Sequence, residues 1–220
     1  MAPDRDRLRE KIEAAGTWHG WQEWTGTLTH WLGHLLQTPL ALPVGSQRVS
    51  LAQLAPEACQ AEMEFLFAAH SVSVSGLDRA VTGAILPGAR RPALQEVQVN
   101  GMLKGFIDLV FCHASRYYIL DYKSNHLGDG LVAYGPPALA AAMLEHRYDL
   151  QYALYTLALH RLLKARLPGY DFDRHVGGAV YLFLRGVDGE GRGVYGDRPS
   201  RPLIEWMDAT FADTGDGHDA

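Results

Sequence analysis

Gly105-Phe-Ile-Asp108-Leu-Val-Phe111, the break Cys112-His-Ala-Ser-Arg116, and Tyr117-Tyr-Ile-Leu-Asp121-Tyr-Lys123 decide how this chain is read. Both flanks are β-branched and aromatic and contain no proline, so they read as two strands of a hairpin. A two-residue turn at Ala114-Ser115 pairs position i with position 229 − i, which sets Asp108 opposite Asp121. Opposed side chains in such a ladder lie roughly 5 Å apart. Two carboxylates at that spacing repel, and each makes the other harder to ionise. A divalent cation turns the repulsion into coordination, and Mg²⁺ takes one or two carboxylates with water and phosphate oxygens. Lys123 follows Asp121 by two residues and projects on the same strand face. The competing reading is an ordinary exposed hairpin with scattered charges, since a D-x-K tripeptide alone is common.

Upstream, Ala61-Glu62-Met63-Glu64-Phe65-Leu66-Phe67 alternates polar and apolar and predicts a strand with both glutamates on one face. Glu62 could supply a third carboxylate; a solvated strand face is the plainer alternative. Residues 4–15 predict a charged helix. Residues 18–37 carry Trp18, Trp21, Trp24, Leu28, Trp31, Leu32, Leu35 and Leu36 at helical spacing. His30 and His34 stand four apart there, but no glutamate is interleaved as in the zinc-protease motif, so they read as partly exposed histidines. Residues 39–60 read as loop with a helical piece at Leu51–Leu54, Ser71–Ala80 as a strand or turn, and Pro87–Pro92 as a loop whose Arg90 and Arg91 are solvated or touch a phosphate, the first reading preferred.

Downstream, 137–146 and 148–167 predict helices, the second closed by Pro168-Gly169. Gln151 and Tyr155 share one face of it, although a tyrosine at that spacing is ordinarily amphipathic packing. Residues 177–184 predict a buried strand, 202–211 a last helix, and 212–220 a disordered tail. The expected domains are thus a helical segment over 1–60 packed on the core, a core over 61–211, and the tail.

Of the 220 residues, 47% are hydrophobic, enough for a real core, and no run of 18 apolar residues predicts a membrane span. The charged N-terminus does not read as a secretion signal. Two cysteines exclude a disulfide framework or a four-cysteine cluster and fit a reducing cytoplasm. The formal charge of −5 lacks the basic surplus of a stand-alone nucleic-acid binder. If the chain acts on nucleic acid, something else holds the substrate.

Leu103-Lys-Gly-Phe-Ile-Asp108-Leu-Val-Phe111, Tyr118-Ile-Leu-Asp121-Tyr-Lys123-Ser-Asn125 and His146-Arg-Tyr-Asp-Leu-Gln151-Tyr-Ala-Leu-Tyr155 strongly resemble the nuclease domain at the C-terminus of RecB, the beta subunit of the RecBCD helicase–nuclease (exodeoxyribonuclease V). The resemblance runs from about residue 18 through Gly178-Ala-Val-Tyr-Leu-Phe-Leu-Arg-Gly-Val-Asp188. It implies an α/β, restriction-endonuclease-like PD-(D/E)xK core: a mixed central sheet flanked by helices, here with an N-terminal helical extension. Carried across, Asp108 and Asp121 resemble the Mg²⁺ ligands, Lys123 the catalytic lysine, and Glu62 the additional acidic residue, with Glu64 second. Gln151 and Tyr155 match the Q-x-x-x-Y motif. The family's metal-binding histidine lies in a G-T-x-x-G-x-x-x-H helix. Gly26-Thr27-Leu-Thr-His30-Trp-Leu-Gly-His34 imitates it, but the following residues to Leu40 resemble the segment after that helix. The expectation is therefore that the true histidine and the helicase motors lie outside this chain, a fragment or split gene product with a metal site one ligand short.

The implied activity is Mg²⁺-dependent hydrolysis of DNA, as single strands fed by a helicase, with RecC- and RecD-like subunits and RecA as partners and the cytoplasm as its place. Two other readings compete: a catalytically weak module that docks RecC- or RecA-like proteins, and a zinc hydrolase built on His30 and His34.

Overall fold

The computed structural model describes residues 5–212, so all of the expected tail except Ala212 lies outside the described residues. Its centre is a five-stranded mixed sheet in the order β3-β4-β5-β6-β7. The strands are β3 (Cys59–Ser73), β4 (Gln98–His113), β5 (Arg116–Lys123), β6 (Val176–Phe183) and β7 (Val194–Asp197). A separate two-stranded ribbon joins β1 (Leu40–Ala41) to β2 (Arg48–Val49). The helices are α1 (Arg5–His19), α2 (Thr25–Gln37), α3 (Val74–Ala84), α4 (Pro136–Glu145), α5 (Tyr148–Arg166), α6 (Phe172–His175) and α7 (Arg201–Ala212). Because β3 begins at Cys59, a domain boundary after residue 60 falls inside a strand.

Only β5 and β6 run parallel, and the crossover between them carries α4 and α5. Every residue of β6 is buried, as a strand covered on both faces must be. On one face Ile107, Val110, Ile119, Tyr181 and Phe183 pack with Leu157, Ile204 and Met207 of the helices. On the other, Phe111, Tyr118, Leu120, Val180 and Leu182 meet Leu40, Leu42 and Val49 of the loop and ribbon.

The N-terminal region differs from its expected form in two ways. The tryptophan-bearing stretch is not one helix: α1 runs on to His19, Gly20 turns the chain at φ 71°, and α2 starts only at Thr25. Nor is the apolar stripe buried throughout: of its members on α2, only Leu35 is. Trp18 is 90% exposed and Trp21, Trp24 and Trp31 are largely exposed, while α2 buries Thr25, Thr29, Gly33 and Leu35. The threonine hydroxyls bond back to Gln22 O (2.8 Å) and Thr25 O (2.7 Å), which lets small polar residues fill a close helix contact.

Two further expectations are corrected. Residues 74–84 form a helix, not a strand or turn: the Ser73 side chain accepts from Gly76 N at 3.0 Å as an N-cap, and Leu77 and Val81 face the core. Arg91 is not solvated. Its side chain is only 4% exposed, ion-paired with buried Asp149 and donating to Ile85 O (2.9 Å) and Leu86 O (2.8 Å).

Candidate active site

The hairpin has the register read from the sequence. Leu109↔Leu120 through His113↔Arg116 all sum to 229, and Ala114 and Ser115 turn the chain at φ 48° and 62°. Both angles are left-handed, as a two-residue type I′ connection requires. The ladder stops one pair short of the aspartates. There Asp108 Oδ2 accepts from Tyr122 N at 2.8 Å, a carboxylate standing where a carbonyl would otherwise pair. The strands open at this point, and Asp108 and Asp121 lie close enough that Asp108 raises the Asp121 pKa. Asp121 meets the helix-covered side of the sheet through Lys123, which bonds to Gln151 of α5.

Asp121 is 3% exposed. Its carboxyl is held above the ordinary value first by burial, then by Asp108, against the lowering pull of Lys123. Lys123 Nζ stands 2.6 Å from Asp121 Oδ2, an ion pair. The approach is not that of a directed hydrogen bond, and this enclosed oxygen has no hydrogen-bond donor. The ammonium offsets the charge of this oxygen, and a divalent cation beside the two carboxylates would offset more of the cost of burying them. Two hard carboxylates side by side suit a divalent cation that needs few protein ligands and keeps its waters.

The helix motif is wired to the lysine. Gln151 Oε1 accepts from Lys123 Nζ and from the Tyr181 hydroxyl, each at 3.0 Å, and Gln151 Nε2 donates to the Tyr155 hydroxyl at 2.9 Å. These bonds fix which way the amide faces. Burial and the two aspartates push the Tyr155 phenol up to about 12, so it remains a neutral donor at ordinary pH.

The glutamates stand apart. Positions 61↔109 and 63↔107 pair on either side of Glu62, placing it level with Asp108, but Glu62 is exposed and its φ is 51°. That angle breaks strand alternation: Cys59 belongs with one core cluster and Met63 with the other, although they are four residues apart. Among the described residues no three His, Cys, Asp or Glu side chains converge as a metal group, so Glu62 does not complete a trio with the aspartates. Glu64 is taken by Lys104 at 2.9 Å. His30 and His34 lie exposed on α2.

Sequence reasoning missed Tyr148 and Tyr181. Tyr181 sits beside Asp121 through the parallel register of β5 and β6, which no local pattern announces. Tyr148 precedes Gln151 by three residues on the same helix, and that spacing was the available signal.

Set against known proteins, the chain matches the PD-(D/E)XK nuclease superfamily over residues 6–213. It is 49% identical over 212 residues to the RecBCD enzyme subunit RecB of Escherichia coli K12, covering 95% of this chain and 17% of that protein. Identity to the same subunit of Haemophilus influenzae is 42% over 209 residues, covering 94% of this chain and 16% of that protein. With RecB of Mycobacterium tuberculosis H37Rv it is 43% over 108 residues, 49% of this chain and 10% of that protein. The chain therefore spans about a sixth of the length of the first two relatives.

Proposed function

The chain belongs to the PD-(D/E)XK nuclease superfamily, and from that premise we propose that it hydrolyses DNA phosphodiester bonds with Mg²⁺, acting on single strands. The observation that carries this reading is the open end of the β4–β5 hairpin, where two carboxylates and Lys123 meet, the ammonium paired with an enclosed Asp121 oxygen.

Asp108 and Asp121 would hold the cation, which when bound polarises a phosphate oxygen and lowers the pKa of water. Lys123 brings a positive charge to the phosphate and orients the attacking water. Gln151 holds the ammonium in place, and Tyr155 offers a neutral hydroxyl beside the carboxylates. Glu62, exposed and level with Asp108, would act on the cation only through intervening water. The relatives are subunits of RecBCD enzymes. By extension the partners of this chain are RecC- and RecD-like subunits, with a helicase delivering the strand.

The test is cleavage of a labelled single-stranded oligonucleotide by the purified chain at millimolar Mg²⁺. Activity present in the parent and lost in Asp121→Ala and Lys123→Ala supports the nuclease. The exposed Trp18, Trp21 and Trp24 favour a second reading, a module docking RecC- or RecA-like proteins. A folded parent that does not cleave supports the module and overturns the enzyme.

A further inference from the structure

The Lys123 side chain is 12% exposed, so its ammonium is largely withdrawn from water. Its polar partners are Asp121 Oδ2, an ion pair at 2.6 Å, and Gln151 Oε1, a hydrogen bond at 3.0 Å. The remaining surroundings are aromatic: the Tyr148 ring centroid lies 4.0 Å from Nζ and that of Tyr181 lies 5.2 Å away. An ammonium carries three donors on a flexible four-carbon stem, and one ion pair with one hydrogen bond leaves it room to wander. A ring face at this distance attracts the charge and blocks that movement.

Tyr148 is itself held. His146 stacks on its ring at 5.2 Å between centroids. The Tyr148 hydroxyl donates to Asn125 Oδ1 at 3.3 Å, and Asn125 Nδ2 lies 3.1 Å from His146 Nε2. Between His146 and Tyr148, Arg147 sits at φ 55°, fastened to Asp78 at 2.6 Å and Asp149 at 3.2 Å. That left-handed residue directs the first turn of α5, so Tyr148 and Gln151, three residues apart, both reach Lys123. The hydroxyl contact is long and the ring contact is close, which makes the ring the working part.

We infer that Tyr148 is a positioning residue for Lys123, its ring face closing the aromatic side of the pocket that Asp121 and Gln151 leave open. The inference rests on the nuclease reading for its kinetic test, but not for its spectroscopic one.

Tyr148→Leu removes the ring and Tyr148→Phe removes only the hydroxyl. On a single-stranded oligonucleotide, the leucine variant is expected to lose about 10- to 30-fold in kcat, the range of a desolvated cation–π contact, with KM within about twofold of the parent. The phenylalanine variant recovers most of that loss. Equal impairment of the two variants, or a loss confined to KM, overturns the inference. In NMR spectra of the unmodified chain, the Lys123 ε-methylene protons should be shifted upfield by the ring, should stay so in Tyr148→Phe, and should return towards free-lysine positions in Tyr148→Leu. If the leucine variant does not fold, Tyr148→Met, nearer in length and also without a ring, takes its place. A parent that cleaves nothing defeats the nuclease reading alone. The ring shift then decides the role of Tyr148, and a parent whose Lys123 protons show no such shift refutes it.

Discussion

Arg91→Ala should be among the most damaging single substitutions outside the candidate site. Arg91 and Asp149 side chains are 4% and 1% exposed, so truncation strands a carboxylate in the interior. Breaking a buried ion pair from one side costs about 3–5 kcal/mol. Arg147 still reaches Asp149 Oδ1 at 3.2 Å, which places this loss at the lower end, about 3 kcal/mol. For a chain of this length that is about 6–12 °C in Tm. The assay is urea unfolding followed by circular dichroism, with calorimetry for Tm. The double variant Arg91→Met/Asp149→Leu replaces the charges by apolar groups and should recover much of the loss, because buried pairs are often no more stable than such replacements. A loss under about 1 kcal/mol for Arg91→Ala, or a double variant no better than the single, would refute the argument that the stranded charge is what hurts.

Three further outcomes are expected. Mg²⁺ at tenfold excess over its Kd should stabilise the chain by about 1.4 kcal/mol, about 3–6 °C in Tm; Asp108→Asn should abolish the shift, and a shift that survives would place the ion elsewhere. Burial holds the His160 imidazole below its ordinary 6.5, so its contribution to stability is present above pH 6.5 and is lost as pH falls from there towards the folded value. Urea midpoints across that range should fall less steeply in His160→Gln, and parallel curves would dismiss the effect. A Cβ on Gly105 would meet Phe65 Cζ at 2.3 Å, and the Phe65 ring leans on Tyr155 at 5.7 Å. Gly105→Ala should therefore cost about 1–3 kcal/mol by overpacking, read by urea denaturation, and an unchanged midpoint would show that the ring yields freely.

What was legible in the sequence followed the range of the interaction. Asp108, Asp121 and Lys123 lie on one hairpin whose period-2 pattern carries its own register, so their meeting could be read from residue numbers. Gln151 and Tyr155 were visible as helical spacing, though their bonds to Lys123 and to each other were not. Tyr181 arrives through a parallel crossover and Arg91 through a buried pair 58 positions away, and neither leaves a periodic trace. The tryptophan stripe misled because helical spacing names a face without saying whether anything covers it. Glu62 was placed by strand alternation, which its own φ of 51° breaks.

The bend between β4 and β5 has a practical use. Ala114 and Ser115 both take a backbone conformation that costs ordinary residues about 1–2 kcal/mol each, so alignment is imposed against the preference of the tip rather than by it. Two different cores impose it, Val110 and Ile119 facing one and Phe111 and Tyr118 the other, and a slip by a single position would interchange them. Ala114 lies six positions from Asp108, about 20 Å of extended chain. A fluorophore, an affinity tag or a longer loop grafted at Ala114-Ser115 would ride on this handle far from the chemistry, ready to report on the molecule without entering it.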